Sequence, residues 1–376
     1  MNQRIKVGVI FGGRSAEHEV SLVSAASVIR ALDPKKYEVL PVGISPAGKW
    51  LSSAEALNLL KQKIPLDRYP EHIIVPNPLK QGLVSLNRSL RSPGLYHVDV
   101  VFPVLHGTYG EDGTIQGLFE LADLPYVGAG VLGSAVGMDK VVQKQLLKAA
   151  KLPVAPGISF MAGTFHGRQK EILRSIEQKL HYPCFVKPAN LGSSIGITKA
   201  HNRKQLLAAI EVAAQYDLKI LVERAIRNPR EIECSVLGND HPEASVPGEI
   251  IPSGEFYDYD AKYVDGRSQA VIPANIPAAT TKKIRDYAVK AFTALGCEGM
   301  ARVDFLMEKR TRRVVVSEIN TIPGFTPISM YPKLWEASGL SYPELLDRLI
   351  QLALERHAAR KHLRTAYAPK SNWYQQ

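Results

Sequence analysis

Residues 301–305 read ARVDF and residues 314–324 read VVVSEINTIPG. In an extended strand alternate side chains share a face, so Arg302 stands beside Asp304, and Glu318 beside Asn320. Paired antiparallel, the two strands bring Asp304, Glu318 and Asn320 together as three oxygen ligands. Hard Mg²⁺ prefers such donors and keeps further positions for water and phosphate. Arg302 next to them offers a planar fork to a phosphoryl oxygen. A cross-strand salt-bridge network on a solvated face would use the same residues, so this stretch alone leaves both readings open.

Working outward, the chain divides into three regions, 1–139, 140–224 and 225–376. The last holds predicted strands at 231–237 and 243–250, the loop SGEFYDYDAKYVDGRS, and a helix over 278–295 before the strand pair. Helices near 331–337 and 342–356 close it. The middle region reads as a small α+β unit. It has a helix at 141–150, a Pro-bounded strand, a helix around 171–180 and a strand at 183–187. The Gly/Ser loop NLGSSIG leads to a β-branched continuation at 195–199, a helix at 203–216 and a strand at 219–223. The first region opens with a strand at 6–11, a Gly12-Gly13 turn, a helix over 17–31 and a strand at 38–44. A Pro-rich stretch, read as irregular, runs to about 95. A strand at 98–104 then enters HGTYGEDGTIQGLFE, a Gly-rich loop opening a helix. This alternation predicts a doubly wound parallel α/β unit with its strand C-termini open to ligands.

Composition bounds the function. In 376 residues, 45% are apolar and 22% charged, as in a globular protein with a full core;. No run approaches the roughly 20 apolar residues of a membrane helix, and the apolar part of MNQRIKVGVIFGG is too short for a secretory signal. Cys184, Cys234 and Cys297 are far apart in apolar runs, which fits a reducing cytoplasm and neither a disulfide framework nor a metal cluster;. The net charge of +11 gathers partly in Arg356, Arg360, Lys361, Arg364 and Lys370. No aromatic platform is interleaved there, so the expectation is a solvated tail and no nucleic-acid partner.

Other candidates lie at element ends. Lys187 ends the strand PCFVK ahead of Gly192-Ser193-Ser194, whose small side chains let backbone N–H groups approach phosphate; an ordinary turn would look alike. The fixed-spacing phosphate-loop pattern is absent. Glu223 (in ILVER) and Glu231 are placed to accept hydrogen bonds from adenine and ribose, or to be surface carboxylates. Ser15 is read as the N-cap of a helix whose first turn holds Glu17 and Glu19. His106 stands where α/β proteins bind ligands.

Seven motifs in order, GGRSAEHEVSL, LHGTYGEDGTIQG, MDK, VKPANLGSSIG, FYDYDAKY, GMARVDF and EINTIPGFTPISMYP, closely resemble the D-alanine–D-alanine ligases of the ATP-grasp superfamily. The long segment between Ile44 and His97 is similar to that of the longer subgroup, which includes D-alanine–D-lactate enzymes. The resemblance implies a three-domain α/β and α+β fold, with ATP between two antiparallel sheets of the central and C-terminal domains. It implies that Lys140 and Lys187 contact the nucleotide phosphates, that Lys262 joins them, and that Glu223 and Glu231 hold adenine and ribose. Asp304, Glu318 and Asn320 match ligands of two Mg²⁺ ions, with Mn²⁺ as a substitute. Glu17 matches the carboxylate that takes the first D-alanine's ammonium, with His106 its neighbour. Ser193 and Tyr263 link a loop to that subsite, and Tyr257 lies in the same aromatic loop as a substrate contact. Arg302 and the backbone of Gly324 match the groups that steady the tetrahedral intermediate, and Ser329 and Met330 the second D-alanine's carboxylate subsite.

The implied reaction makes D-alanyl phosphate from ATP and then D-alanyl-D-alanine for peptidoglycan, in a cytoplasmic homodimer. Tyr263 accompanies dipeptide synthesis in the family, so D-alanine is the expected acceptor; D-lactate or D-serine is the alternative. Arg224 stands where shorter members often carry lysine. A nucleotide-binding regulator without turnover would have no reason to keep Arg302 together with Asp304, Glu318 and Asn320.

Overall fold

The computed structural model describes residues 4–86, 95–252, 268–364 and 367. Strand Ile5–Gly12 is buried in all but its first two residues, because it lies inside a sheet covered on both faces;. Strands Tyr37–Ile44 and Val100–Val104 flank it in parallel, and Trp50–Ser52 adds an antiparallel edge. The Pro-rich stretch read as irregular contains regular elements among its described residues. Beyond that edge strand it forms helix Ala56–Lys61 and a three-stranded antiparallel sheet of His72–Ile74, Gly82–Ser85 and Leu95–His97. Strands of three or four residues are too short for alternation to register.

A second sheet, wholly antiparallel, orders Thr198–Ala200, Cys184–Pro188, Lys219–Arg224 and Gly157–Met161. Helices Ala162–Lys179 and Arg203–Ala213 bury Ile172, Ile176, Leu206 and Ile210 against it. The strand expected at 195–199 shrinks to Thr198–Ala200. Ser193, Ser194 and Gly196 all have positive φ, which no strand accommodates;.

The third sheet runs Gln269–Val271, Gly248–Ile251, Pro229–Gly238, Gly299–Glu308, Val314–Asn320, with Glu243–Ala244 on the flank of Pro229–Gly238. The single strand expected at 243–250 is thus two, divided at Pro247, which has no N–H for the ladder;. Helix Ala278–Ala294 packs on this sheet, and Met330–Glu336 and Tyr342–Lys361 are the last helices among the described residues.

Burial groups these elements differently from sequence order. Val7, Phe11 and Phe102 share one apolar cluster with Phe325, Tyr331, Leu345 and Leu349, so the first and last regions have a common core. Leu147, Leu152 and Val154 pack with Ile232, Phe292 and Val303 of the third sheet. The second sheet has a core of its own.

Of the basic residues expected to form a solvated tail, Arg356 and Arg360 are instead engaged, while Lys361 and Arg364 are exposed. Arg356 is buried, lies over the Tyr126 ring at 4.4 Å and donates to the carbonyls of Tyr126 (2.8 Å) and Gly128. Arg360 pairs with Glu120 and Glu298. Apart from Arg360 with Glu298, 62 positions apart, these contacts join residues over two hundred positions apart, beyond any sequence window; Lys370 lies outside the described residues.

Candidate active site

The antiparallel pairing of Gly299–Glu308 with Val314–Asn320 sets Arg302 opposite Asn320 and Asp304 opposite Glu318, with a bulge just after Asp304. All four therefore stand on one face, while Val303, Phe305 and Ile319 fill the core on the other. Arg302 grips Asp304 with two parallel hydrogen bonds, Nε to Oδ1 and Nη2 to Oδ2, both 2.7 Å. Asn320 Nδ2 donates to Asp304 Oδ2 at 3.0 Å. Glu233, which the sequence reading missed, lies opposite Asp304 on the neighbouring strand, its Oε2 3.0 Å from Arg302 Nε. Alternation from Glu231 was the available signal. Burial works against the Arg302 charge, but Asp304, Glu233 and Glu318 outweigh it and hold the guanidinium firmly protonated;.

Across a cleft from this face stands the second sheet. Lys144, Lys187, Glu223, Glu231, Glu233, Asp304 and Glu318 line the cleft, with Phe185, Ile197 and Val316 as apolar wall. Helix Lys140–Ala149 is capped by Asp139, which accepts from the N–H groups of Val141 (2.9 Å) and Val142 (3.1 Å). Lys140 Nζ donates to the Leu191 carbonyl at 2.6 Å and comes within 3.5 Å of Glu318 Oε2. One turn on, Lys144 pairs with Glu223 Oε1, and Lys187 Nζ reaches Oε2 at 2.7 Å. Lys144 was also missed; its spacing of four from Lys140 marks the same helix face. Burial tends to raise Glu223, but the two lysines dominate and hold it at about 2;. Burial lowers Lys144, whereas Lys187 is raised because Glu223 and Glu318 outweigh its own burial. Arg224 also borders the cleft, and its guanidinium donates to the carbonyls of Leu180 (2.9 Å) and Lys179 (2.6 Å) at the end of a helix.

Glu17 meets the Ser193 loop from the first region. Helix His18–Ala31 begins one residue after it, and Ser15 is not the N-cap: its hydroxyl accepts from the Glu17 N–H at 3.1 Å, within the turn;. The Glu17 carboxylate is buried, accepts from the Ser193 hydroxyl, and is wedged between two glycines. A Cβ on Gly192 would meet Oε2 at 2.5 Å, and one on Gly107 at 2.7 Å. Glu111, a further omission from the sequence reading, accepts from the N–H of Gly107 (2.7 Å) and of Ile322 (3.1 Å).

His106 is fully engaged. Its Nδ1 lies 3.1 Å from the Ile322 carbonyl, which can only accept, so the proton is on Nδ1 and Nε2 accepts from Ser24 Oγ at 3.1 Å;. Ser24 Oγ in turn accepts from the Phe325 N–H at 3.3 Å. Burial lowers the ring's pKa and keeps it neutral. The histidine thereby fixes the loop 321–329 on the first region. In that loop a Cβ on Gly324 would lie 2.6 Å from Ser329 Oγ, which accepts from the Thr326 N–H at 3.0 Å. Met330 buries its side chain with Ile250 and Leu334.

Tyr257, Lys262 and Tyr263 lie outside the described residues. Among the described residues no three His, Cys, Asp or Glu side chains cluster as metal ligands; Asp304, Glu318 and Asn320 are two carboxylates and an amide.

Two family descriptions match the chain: "D-ala D-ala ligase N-terminus" over residues 6–129 and "D-ala D-ala ligase C-terminus" over 146–351. A D-alanine–D-alanine ligase of Thermoanaerobacter sp. is 52% identical over 365 residues, 94% of this chain and 98% of the relative. One from Chloroherpeton thalassium is 50% identical over 371 residues, 96% and 99% of the two chains. Among solved structures, the D-alanine–D-alanine ligase from Coxiella burnetii superposes with a TM-score of 0.81 at 37% identity, covering 95% of this chain and 97% of that one. The VanG D-Ala:D-Ser ligase from Enterococcus faecalis gives 0.82 at 38%, covering 93% and 100%.

Proposed function

Since the chain belongs to the D-alanine–D-alanine ligase family, we propose that it joins two D-alanine molecules at the expense of ATP, for cell-wall synthesis. The observation that carries this reading is the cross-strand set of Arg302, Asp304, Glu318 and Asn320 at the edge of a lysine-lined cleft between two antiparallel sheets.

Each residue then has a chemical task. Lys140 and Lys187 take the phosphates, while Glu223 and Glu231 face adenine and ribose. Glu17, steadied by Ser193, accepts the ammonium of the first D-alanine and turns its carboxylate toward the γ-phosphorus. Positioning and charge stabilisation supply most of the catalysis of such a transfer. Asp304, Glu318 and Asn320 fit Mg²⁺, because they are hard oxygen donors on one face with Asp304 directly opposite Glu318;. When bound, the ions neutralise charge on the phosphate oxygens. The resulting acyl phosphate is attacked by the amine of the second D-alanine. Arg302 and the Gly324 N–H hold the oxyanion, and Ser329 with the backbone of Met330 receives the second carboxylate. Nε and Nη2 of Arg302 are engaged by Asp304, so its remaining edge is the one left to the substrate.

D-Alanine is the acceptor supported by the two relatives at 50–52% identity, both named D-alanine–D-alanine ligases. Tyr263, with Tyr257 and Lys262 in the same loop, belongs to this proposal, as do a homodimeric assembly and a cytoplasmic location. The test is phosphate release from ATP on adding D-alanine, with mass spectrometry of the product. D-Alanyl-D-alanine is expected; no ATP consumption, or a product only with D-serine or D-lactate, overturns the reading.

A further inference from the structure

Lys144 has no task in the scheme above, yet it sits in the wall of the nucleotide cleft. Its side chain is 6% exposed, as is that of its partner Glu223, while Lys187, on the other carboxylate oxygen, is 15% exposed. Beyond the ion pair, no hydrogen-bond partner meets Lys144 Nζ among the described residues. One buried carboxylate in the cleft wall thus has two ammonium partners, Lys144 being the more enclosed and Lys187 the more open. A carboxylate stripped of water needs a counter-ion at all times; removing the last one leaves an uncompensated buried charge. Phosphates entering the cleft compete for Lys187, and that competition is tolerable only where Glu223 keeps a second partner.

We propose that Lys144 is a positioning residue: the permanent counter-ion of Glu223, which holds that carboxylate in place and releases Lys187 to the nucleotide's phosphates. The inference builds on the ATP-dependent reading and concerns how its pocket is charged. Without Lys144, Lys187 is held by Glu223 and ATP binds only by breaking that pair.

Calorimetric titration of the protein with Mg²⁺-ATP tests this independently of turnover. Lys144→Met is expected to weaken ATP binding by about tenfold or more, and to raise KM for ATP by more than it lowers kcat. In a Glu223→Gln background, where no carboxylate retains Lys187, adding Lys144→Met is expected to change the affinity by less than about twofold, the signature of a coupled pair. That second comparison buries no unpaired carboxylate and stands by itself should Lys144→Met fail to fold. An unchanged affinity in Lys144→Met overturns the proposal. So does an equal loss in both backgrounds, which would make Lys144 a direct nucleotide contact. Wild-type protein that binds ATP but releases no phosphate with D-alanine would sink the ligase reading alone, since the affinities still report on Lys144.

Discussion

Glu111 is a carboxyl group held between two backbone N–H donors, one from Gly107 and one from Ile322, close to a second carboxylate, Glu17. Burial first, and then the charge of Glu17, push it up to about 8, against the pull of the two donors;. Unfolded, it would titrate near the ordinary 4.5. Between those values the folded protein holds a proton that the unfolded chain has released, so this group's contribution to stability is complete below about 4.5 and is lost as pH rises through about 8;. One such proton gives a slope of at most ~1.4 kcal/mol per pH unit. Glu111→Gln should flatten stability against pH in that window, as read by urea denaturation at several pH values. An identical slope in wild type and variant would remove Glu111 as its source. Glu318→Gln keeps the shape of its side chain but gives up the charge that faces Asp304 across the strands. Turnover at low Mg²⁺ should fall by at least about a hundredfold and recover in part at high Mg²⁺; equal Mg²⁺ dependence in both proteins would detach Glu318 from the metal. At this scale the sequence was informative where a period of two decides, as for Arg302 with Asp304 and Glu318 with Asn320. Glu233 and Glu111 escaped notice because Arg302, the partner of the first, and Ile322, the more distant partner of the second, arrive from 69 and 211 positions away.

Two loops, rather than any strand or helix, decide where Glu17 points. The Gly107 loop approaches from the parallel sheet and the Gly192 loop from the central sheet, each close enough that only hydrogen fits beside the carboxylate. Gly192 has no positive φ, so Gly192→Ala tests space and not backbone strain. The added methyl would displace a carboxylate meant to meet an ammonium, and misplacement by about 1 Å can cost on the order of a hundredfold. KM for D-alanine should rise between about tenfold and a hundredfold, with the KM for ATP and the melting temperature little changed. A normal KM for D-alanine would show that Glu17 gives way freely and is not fixed by these loops. The long elements were legible in the sequence: helix Ala278–Ala294 and the antiparallel pair appear where periodicity put them. The short ones were not. A strand of three residues, such as Trp50–Ser52, follows the register of the neighbour it joins rather than a pattern of its own;.

On the scale of the molecule, the distribution of cores has a thermodynamic consequence. The parallel sheet of the first region shares its apolar interior with the closing helices, and Arg356 and His106 reinforce that union through backbone carbonyls. The second sheet and its two helices bury a separate cluster. Between these two bodies lie the cleft and a few polar bridges, including Ser193 with Glu17 and Lys140 with the Leu191 carbonyl. The sequence divides into three regions on reading but does not reveal that the first and last share one core, because a shared core is made by contacts and not by composition. Bodies with separate cores need not unfold together. The three tryptophans stand at 50, 335 and 373, and none lies between 157 and 224. The fluorescence of Trp50 and Trp335 in a urea titration should therefore report the joint first-and-last body, while hydrogen exchange of amides in 157–224 reports the other. Without ligand the two transitions are expected to separate, the lobe 157–224 opening first. A non-hydrolysable ATP analogue at about a hundred times its dissociation constant should stabilise that lobe by ~2.7 kcal/mol, because the cleft's walls come from both bodies and a bound nucleotide is lost when either opens. Coincident transitions without nucleotide would mean that the polar bridges couple the bodies more strongly than their separate cores allow.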